Sequence, residues 1–432
     1  MLLIVAGTQL LFEGFRWQLW PLFIGIAILL LVALTKATGL GASVSVGISL
    51  VLALISLAAT WVLPVPAPYA ITGPHQVGTT VVHLVDSNRQ ELYGADPTTP
   101  REIMVQVWYP AEPRKDDQRA QWMTDIKSAA PAIATYIDLP AFALNHLKYV
   151  KANAFIDAPP ITKSEGLPLL VFSHGWAGFK EQNIFQVEEL ASHGYTVVAI
   201  NHTYGAILTV FPDGREIPRS RDALPSGVSQ EAYDIASNLL VRQWADDISF
   251  VLDELEIAAS PSTLGLLAEK IDFEKIGIFG HSTGAGATVE FCAADPRCKA
   301  ALVMDLWAEP VSADAISAGL SQPIMLMHSE NWDIGHPENN YGIIGDLVNA
   351  SSGEVVEFTI QGTEHYDFSS IPLLSPLTVN LGLKGPIEGD LGLEIIIFYS
   401  VHFFDQYLRD NTEYDWADLS TKYPEAMFGF RP

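Results

Sequence analysis

The chain has 432 residues, 49% of them hydrophobic, which is enough to build a large core in one big domain or two ordinary ones. Its formal net charge of −26 argues against a nucleic-acid partner, because a phosphate backbone is held by clustered Lys and Arg. No low-complexity tract and no repeat at solenoid or propeller period interrupts it.

Composition changes sharply once along the chain. Met1 to Phe12 is apolar but short, and reads as an interfacial stretch, a partial span or the apolar part of an uncleaved signal anchor. Leu19 to Thr35 and Ala37 to Leu63 carry no charged residue, with only Lys36 between them. Each is close to the ~20 residues that cross a bilayer core as a helix, so two transmembrane helices are expected. Arg16 and Lys36 flank the first span on opposite sides, and their pulls toward the cytoplasm cancel. Pro64, Pro66 and Pro68 then form a stiff spacer, since proline fixes φ and favours an extended chain. The expected organisation is a membrane region over 1–63, a spacer over 64–72 and one catalytic domain over 73–432.

In the remaining chain, short apolar runs that end in turn residues predict strands at Ile103–Trp108, Leu169–Phe172, Thr196–Ile200, Ile276–Phe279, Ala301–Met304, Ile324–Met327 and Val355–Ile360. Between them, apolar residues recur at helical spacing over Glu181–His193, Ala232–Leu255, Ala285–Ala293 and Leu391–Arg409. Alternating runs of this kind predict an α/β fold with a mostly parallel sheet covered by helices on both faces. Ligands of such sheets bind at the carboxyl ends of the strands, so the polar residues just after each run are the candidates for chemistry.

Gly280-His281-Ser282-Thr283-Gly284 lies between a predicted strand and a predicted helix, the pattern of a nucleophile elbow, with Ser282 presented at the apex of a sharp turn. A neutral hydroxyl is a poor nucleophile and needs a base, an orienting acid and an oxyanion site. Ser173-His174-Gly175-Trp176 closes an early strand, and in an α/β-hydrolase fold that loop and the residue after the nucleophile supply the two oxyanion amides. These are Trp176 and Thr283. The fold's chain order of nucleophile, acid and histidine leaves His328, His336, His365 and His402 as bases, and His365, directly after the last strand-like run, is best placed. Asp305 and Asp333 both follow strand-like runs, and order alone leaves either as the acid, while Asp367 reads as a turn cap. Cys292 and Cys298, the only cysteines, read either as a local disulfide or as two buried thiols, and two sulfurs without a nearby histidine argue against zinc.

Gly73-Pro74, Val77-Gly78, Trp108-Tyr109-Pro110, Phe172-Ser173-His174-Gly175, Gly280-His281-Ser282, Met304-Asp305-Leu306-Trp307 and the late His365 together resemble the platelet-activating-factor acetylhydrolase family, the plasma-type lipoprotein-associated phospholipases and their bacterial relatives. The likeness runs from about Gly73 to His365. It implies that Asp305 is the acid, with Asp333 as runner-up, and that Trp176 supplies an oxyanion amide. The family prefers short or oxidised acyl groups on phospholipids, but its bacterial relatives include broader carboxylesterases and polyester hydrolases, so acyl and head-group preference does not carry over. The chain departs from the family in three places: Thr283-Gly284-Ala285 replaces the family's bulky residue and Gly-Gly pair after Ser282, and neither the membrane hairpin nor Asp116–Pro160 has an assignable counterpart.

The expectation is a membrane-anchored serine carboxylic-ester hydrolase acting through an acyl-enzyme on a lipid or small-molecule ester. It needs no metal and no organic cofactor, and its catalytic domain is expected outside the cytoplasm. Within the same class the alternative is a general carboxylesterase or polyester hydrolase. From another class it is a catalytically silent sensor on the same fold.

Overall fold

The computed structural model describes residues 7–11, 14–96, 98–162, 166–258, 263–332, 335, 337–409, 414–429 and 431–432. Of the apolar Met1–Phe12 stretch only 7–11 is therefore described, as helix. Asp333 and His336 also lie outside the described residues.

Two long apolar helices come first, α1 (Trp20–Thr35) and α2 (Leu40–Val62), linked by a turn in which Lys36 takes a left-handed conformation. Both spans have a mean hydropathy of 2.2, and only 11% of each is buried inside the protein. They are long and apolar enough to cross a membrane. The two pack through small residues and hydroxyls: Ser49 Oγ donates to the Gly25 carbonyl at 3.0 Å, and the Leu22 amide donates to Ser56 Oγ at 2.9 Å. Such contacts let helices associate where lipid removes the hydrophobic drive between them.

The strands that follow are β1 (Gln76–Gln90), β2 (Pro100–Ala111), β3 (Arg119–Gln121), β4 (Lys151–Ile156), β5 (Leu167–Ser173), β6 (Thr196–Asn201), β7 (Leu208–Val210), β8 (Glu216–Pro218), β9 (Ile271–His281), β10 (Cys298–Met304), β11 (Ile324–Asn331), β12 (Val355–Glu364) and β13 (Ala426–Phe428). Among the described residues they form an 11-stranded sheet of order β13-β12-β11-β10-β9-β5-β6-β2-β1-β4-β3 and a β7–β8 ribbon. The stretch from β12 to β6 is parallel throughout, as the uninterrupted apolar runs predict. Every predicted strand is present. β1 was not foreseen, because its charged and polar residues mask a strand whose antiparallel pairing to β2 is long.

Alternate residues of each central strand enter two separate cores. In β5, Leu170 and Phe172 pack on one face with helices α3 (Ile126–Tyr136), α4 (Ile184–Ser192) and, late in the chain, Leu391–Leu408. Leu169 and Val171 pack on the other face with helices α5 (Gln230–Ile257) and α6 (Thr283–Ala294). Burying each such side chain contributes about 1.5–3 kcal/mol, which makes this two-faced centre the rigid platform for whatever its strand ends carry.

Cys292, on α6, and Cys298, opening β10, form a disulfide. A loop this short restricts the unfolded chain modestly, so replacing both cysteines by Ala should cost about 2 kcal/mol. Denaturant unfolding of the double variant beside the parent checks this, and equal midpoints would show that the bridge adds no stability.

Candidate active site

Ser282 sits between β9 and α6 with φ 56° and ψ −117°, a conformation costing of order 1–3 kcal/mol for a residue with a Cβ. Its amide donates to the Met304 carbonyl at 2.9 Å, and its carbonyl accepts from the Gly286 amide at 3.1 Å. The tight turn needs its glycines, because a Cβ on Gly280 would overlap the Gly284 carbonyl and one on Gly284 would overlap the Ser173 carbonyl.

Asp305 ends β10 fully buried, and its carboxylate accepts from the Ser329 amide at 2.7 Å and from Ser329 Oγ at 2.6 Å. Its Oδ2 also accepts from His365 Nδ1–H at 2.9 Å. His365 begins a short 3₁₀ turn after β12, and Asp367 caps that turn by accepting from the Glu364 amide at 2.8 Å. Ser282 and His365 both line the same two cavities. Among the described residues no hydrogen bond joins the Ser282 hydroxyl to the imidazole. Contacts of this kind commonly tighten only when substrate binds.

Sequence reasoning missed what holds His365. The Trp332 indole stacks on its ring at 4.3 Å and 3°, and His281 lies against it at 4.4 Å. His281 Nδ1 accepts from Gln182 Nε2 at 3.1 Å, and His281 Nε2–H donates to the His365 carbonyl at 3.1 Å. Burial, with the neighbouring His365 adding repulsion, holds the His281 pKa well below the ordinary imidazole range, so the ring stays neutral. His281, Asp305 and His365 each bring one potential metal-ligand atom within 4.8 Å of the others. Hydrogen bonds already occupy both His281 nitrogens and join His365 Nδ1 to Asp305.

The other candidate bases stand elsewhere. His328 Nε2 bonds Glu357 Oε1 at 2.9 Å, and Glu357 is held down to about 2 by His328 and Arg431 despite its burial. His402 bonds the Phe398 carbonyl at 2.7 Å and packs on the Phe398 ring.

Trp176 and Thr283 line the same cleft as Ser282, and neither backbone amide donates to a described residue. The loop carrying Trp176 rests on a buried polar network. His174 Nδ1–H donates to the Gly175 carbonyl at 2.7 Å, and its Nε2 accepts from the His202 amide at 3.2 Å. Ser173 Oγ donates to His202 Nε2 at 2.9 Å, while His202 Nδ1–H donates to Asp247 Oδ2 at 2.9 Å. Arg101 grips Asp247 with Nε at 3.1 Å and Nη2 at 2.6 Å, and reaches Glu91 at 2.7 Å. Burial lowers the pKa values of His174 and His202, and Arg101 with His202 drives Asp247 far below the carboxylate range in spite of its burial. These partners come from four distant parts of the chain, so no local pattern announces them.

Two cavities meet at Ser282. One, of about 260 Å³, is largely apolar and runs from Gly175–Phe179 to Trp122, Ile133, Leu147 and Leu374. The unassigned stretch Asp116–Pro160 thus supplies part of its wall. The other, of about 600 Å³, is an open cleft bordered by Leu224–Val228, Tyr233, Trp307 and Trp332. A largely apolar cavity on one side of a hydroxyl and an open cleft on the other suit a substrate with two unlike halves.

Known proteins share this frame. A solved ferulic acid esterase from Streptomyces cinnamoneus superposes with a TM-score of 0.67 at 26% identity, over 85% of this chain and 100% of its own. Platelet-activating factor acetylhydrolase of Canis lupus familiaris is 23% identical over 344 residues, 74% of this chain and 76% of its own. That of Gallus gallus is 24% identical over 378 residues, 80% of this chain and 85% of its own. Matching the model of the family described as platelet-activating factor acetylhydrolase, isoform II, from residue 66 to residue 426, the chain belongs to that family and is a hydrolase of ester bonds.

Proposed function

We propose that this chain is a membrane-anchored serine hydrolase that cleaves carboxylic esters through an acyl-enzyme. The observation that carries the reading is the strained Ser282, open to the same cavity as an imidazole whose Nδ1–H is held by a buried carboxylate. His365 Nε2 takes the proton of the Ser282 hydroxyl as Oγ attacks the ester carbonyl, and Asp305 orients the imidazole and stabilises its cation. The Trp176 and Thr283 amides stabilise the tetrahedral oxyanion. The imidazolium then protonates the departing alkoxide as the C–O bond breaks. Water, deprotonated by His365, attacks the acyl-enzyme and releases the acid with Ser282 restored.

The acyl group goes into the apolar cavity and the alcohol into the open cleft. An apolar cavity of about 150 Å³ takes a benzene ring, so on that scale this one takes an acyl group of roughly ten carbons. Short-acyl phospholipids fit this limit, in keeping with the names of the relatives, and so do small aromatic acyl esters such as the esterase neighbour's name implies. The two apolar helices support anchoring, and the disulfide supports a catalytic domain in an oxidising compartment outside the cytoplasm.

A fluorophosphonate, which phosphorylates activated serines, tests the nucleophile directly. In detergent-solubilised protein that turns over p-nitrophenyl butyrate, peptide mass mapping should find the adduct on Ser282, in step with loss of activity. Complete inactivation with the label on another residue would overturn the assignment.

A further inference from the structure

The acyl cavity does not end in the core. Its floor residues Trp122, Ser370 and Leu374 also line a void of only about 20 Å³. The far wall of that void is Pro66–Tyr69 and Leu373, and those same residues line a groove of about 940 Å³. Three spaces thus follow one another, each sharing lining residues with the next. The groove also lies at the foot of the membrane hairpin, where Ser375 Oγ donates to the Val62 carbonyl at 2.6 Å.

We propose that Leu374, with Trp122 beside it, is the residue that sets acyl length. It stops the acyl chain at the end of the catalytic cavity, and its removal joins that cavity to the void, beyond which Leu373 and Pro66–Tyr69 border the groove under the proline spacer. Leu374 is partly buried and packs against the edge of a core rather than inside it, so it can be cut back without opening the centre of the fold. Trp122 is braced edge-on by Phe179 at 6.0 Å, which leaves Leu374 as the easier of the two to trim. Among the described residues the one carboxylate at the void, Glu188, has its oxygens bound by the Asn153 and Ala154 amides, and burial raises its pKa to about 7. Most of the void is walled by apolar side chains, with Lys151 and Ser370 beside Glu188, and the groove beyond offers Leu373, Ile397, Phe398 and Val401 along with the charged Glu189, Lys384, Asp390 and Glu394. An acyl chain that passes the floor can follow the apolar side of that groove, next to the membrane helices.

The proposal rests on the acyl-enzyme reading above. The test is the ratio of kcat/KM for p-nitrophenyl palmitate to that for p-nitrophenyl octanoate, in mixed detergent micelles. Wild type should fall steeply beyond about ten carbons. Leu374→Ala should raise the ratio at least tenfold. Adding Ala67→Trp, which fills the groove where it meets the void, should return the ratio toward wild type. Should Leu374→Ala fail to fold, Leu374→Val and Trp122→Phe make smaller cuts in the same wall and should move the ratio in the same direction. A folded variant with an unchanged ratio overturns the proposal, and so does a wild type that cleaves palmitate as readily as octanoate. Loss of all ester turnover in wild type would instead sink the acyl-enzyme reading itself, an outcome visible on octanoate alone.

Discussion

Ser282→Ala should lower kcat on p-nitrophenyl butyrate by roughly 10⁴-fold or more, with KM little changed. The hydroxyl is the only atom removed, and it lies at the meeting of the two cavities, so substrate still binds while the acyl-enzyme cannot form. Asp305→Asn should lose a comparable factor for a different reason. The Asp305 carboxylate accepts from His365 and twice from Ser329, so all its charge is used to receive protons. An amide offers one acceptor and two donors, and it cannot satisfy Ser329 while still accepting from Nδ1–H. The imidazole would turn to the wrong tautomer and lose the partner of its cation. Asp333 competes with Asp305 for this role in the sequence, and the two are separated by the same measurement. If Asp305→Asn keeps near-wild-type turnover while Ser282→Ala collapses, the acid is Asp333.

The second large effect lies beneath the loop carrying Trp176, the proposed oxyanion donor. Asp247→Ala should destabilise the protein by about 3–5 kcal/mol, because it strips the fully buried Arg101 of one of its two carboxylate partners and leaves that charge poorly compensated. His202 loses its Nδ1 acceptor at the same time, and with it the hold on Ser173. Turnover should therefore fall even in the variant protein that stays folded, which a merely weakened core would not produce. Asp247→Asn, which keeps the shape but not the charge, should fall between the two.

The same network makes stability depend on pH. The folded pKa of Asp247 is depressed, so its contribution is full above the unfolded carboxylate value of about 4 and is lost as pH falls below it. His174, His202 and His281 are buried neutral, with folded pKa values below the unfolded value of about 6.5. Between those values these three imidazoles bind more protons in the unfolded chain than in the folded one, which outweighs the single proton that Glu188, raised to about 7, holds in the folded state, so stability drops as pH falls below about 6.5, well before Asp247 titrates. Thermal unfolding from pH 8 to pH 5 should show a plateau and then a decline. A midpoint that rises on acidification would contradict this account.

Much of the protein was legible without coordinates because the signals were local. Apolar runs of strand length, turn residues between them and helical periodicity depend only on neighbours in the chain, and they marked the parallel sheet and the helices on its two faces. The elbow at Ser282 was legible for the same reason, since a strand, a glycine-flanked serine and a helix are consecutive. Chain order then singled out His365. Two charge-free runs of bilayer length needed no more than counting. The acid was ambiguous at that level, because two aspartates follow strands and nothing local says which lies nearer the histidine.

What the tertiary structure decided is whatever depends on residues far apart in the chain. Trp332, just after β11, meets His365, just after β12, Asp305 reaches the same imidazole over a separation of 60 positions, and Asp247 lies 146 positions from Arg101. β1 escaped notice because its polar pattern becomes a strand only through its pairing with β2. The stretch Asp116–Pro160 had no recognisable role, yet it walls the apolar cavity beside Ser282 through Trp122, Ile133 and Leu147. A pocket wall requires only apolar shape, and many sequences supply that. Its function exists only once the sheet has brought Ser282 to face it.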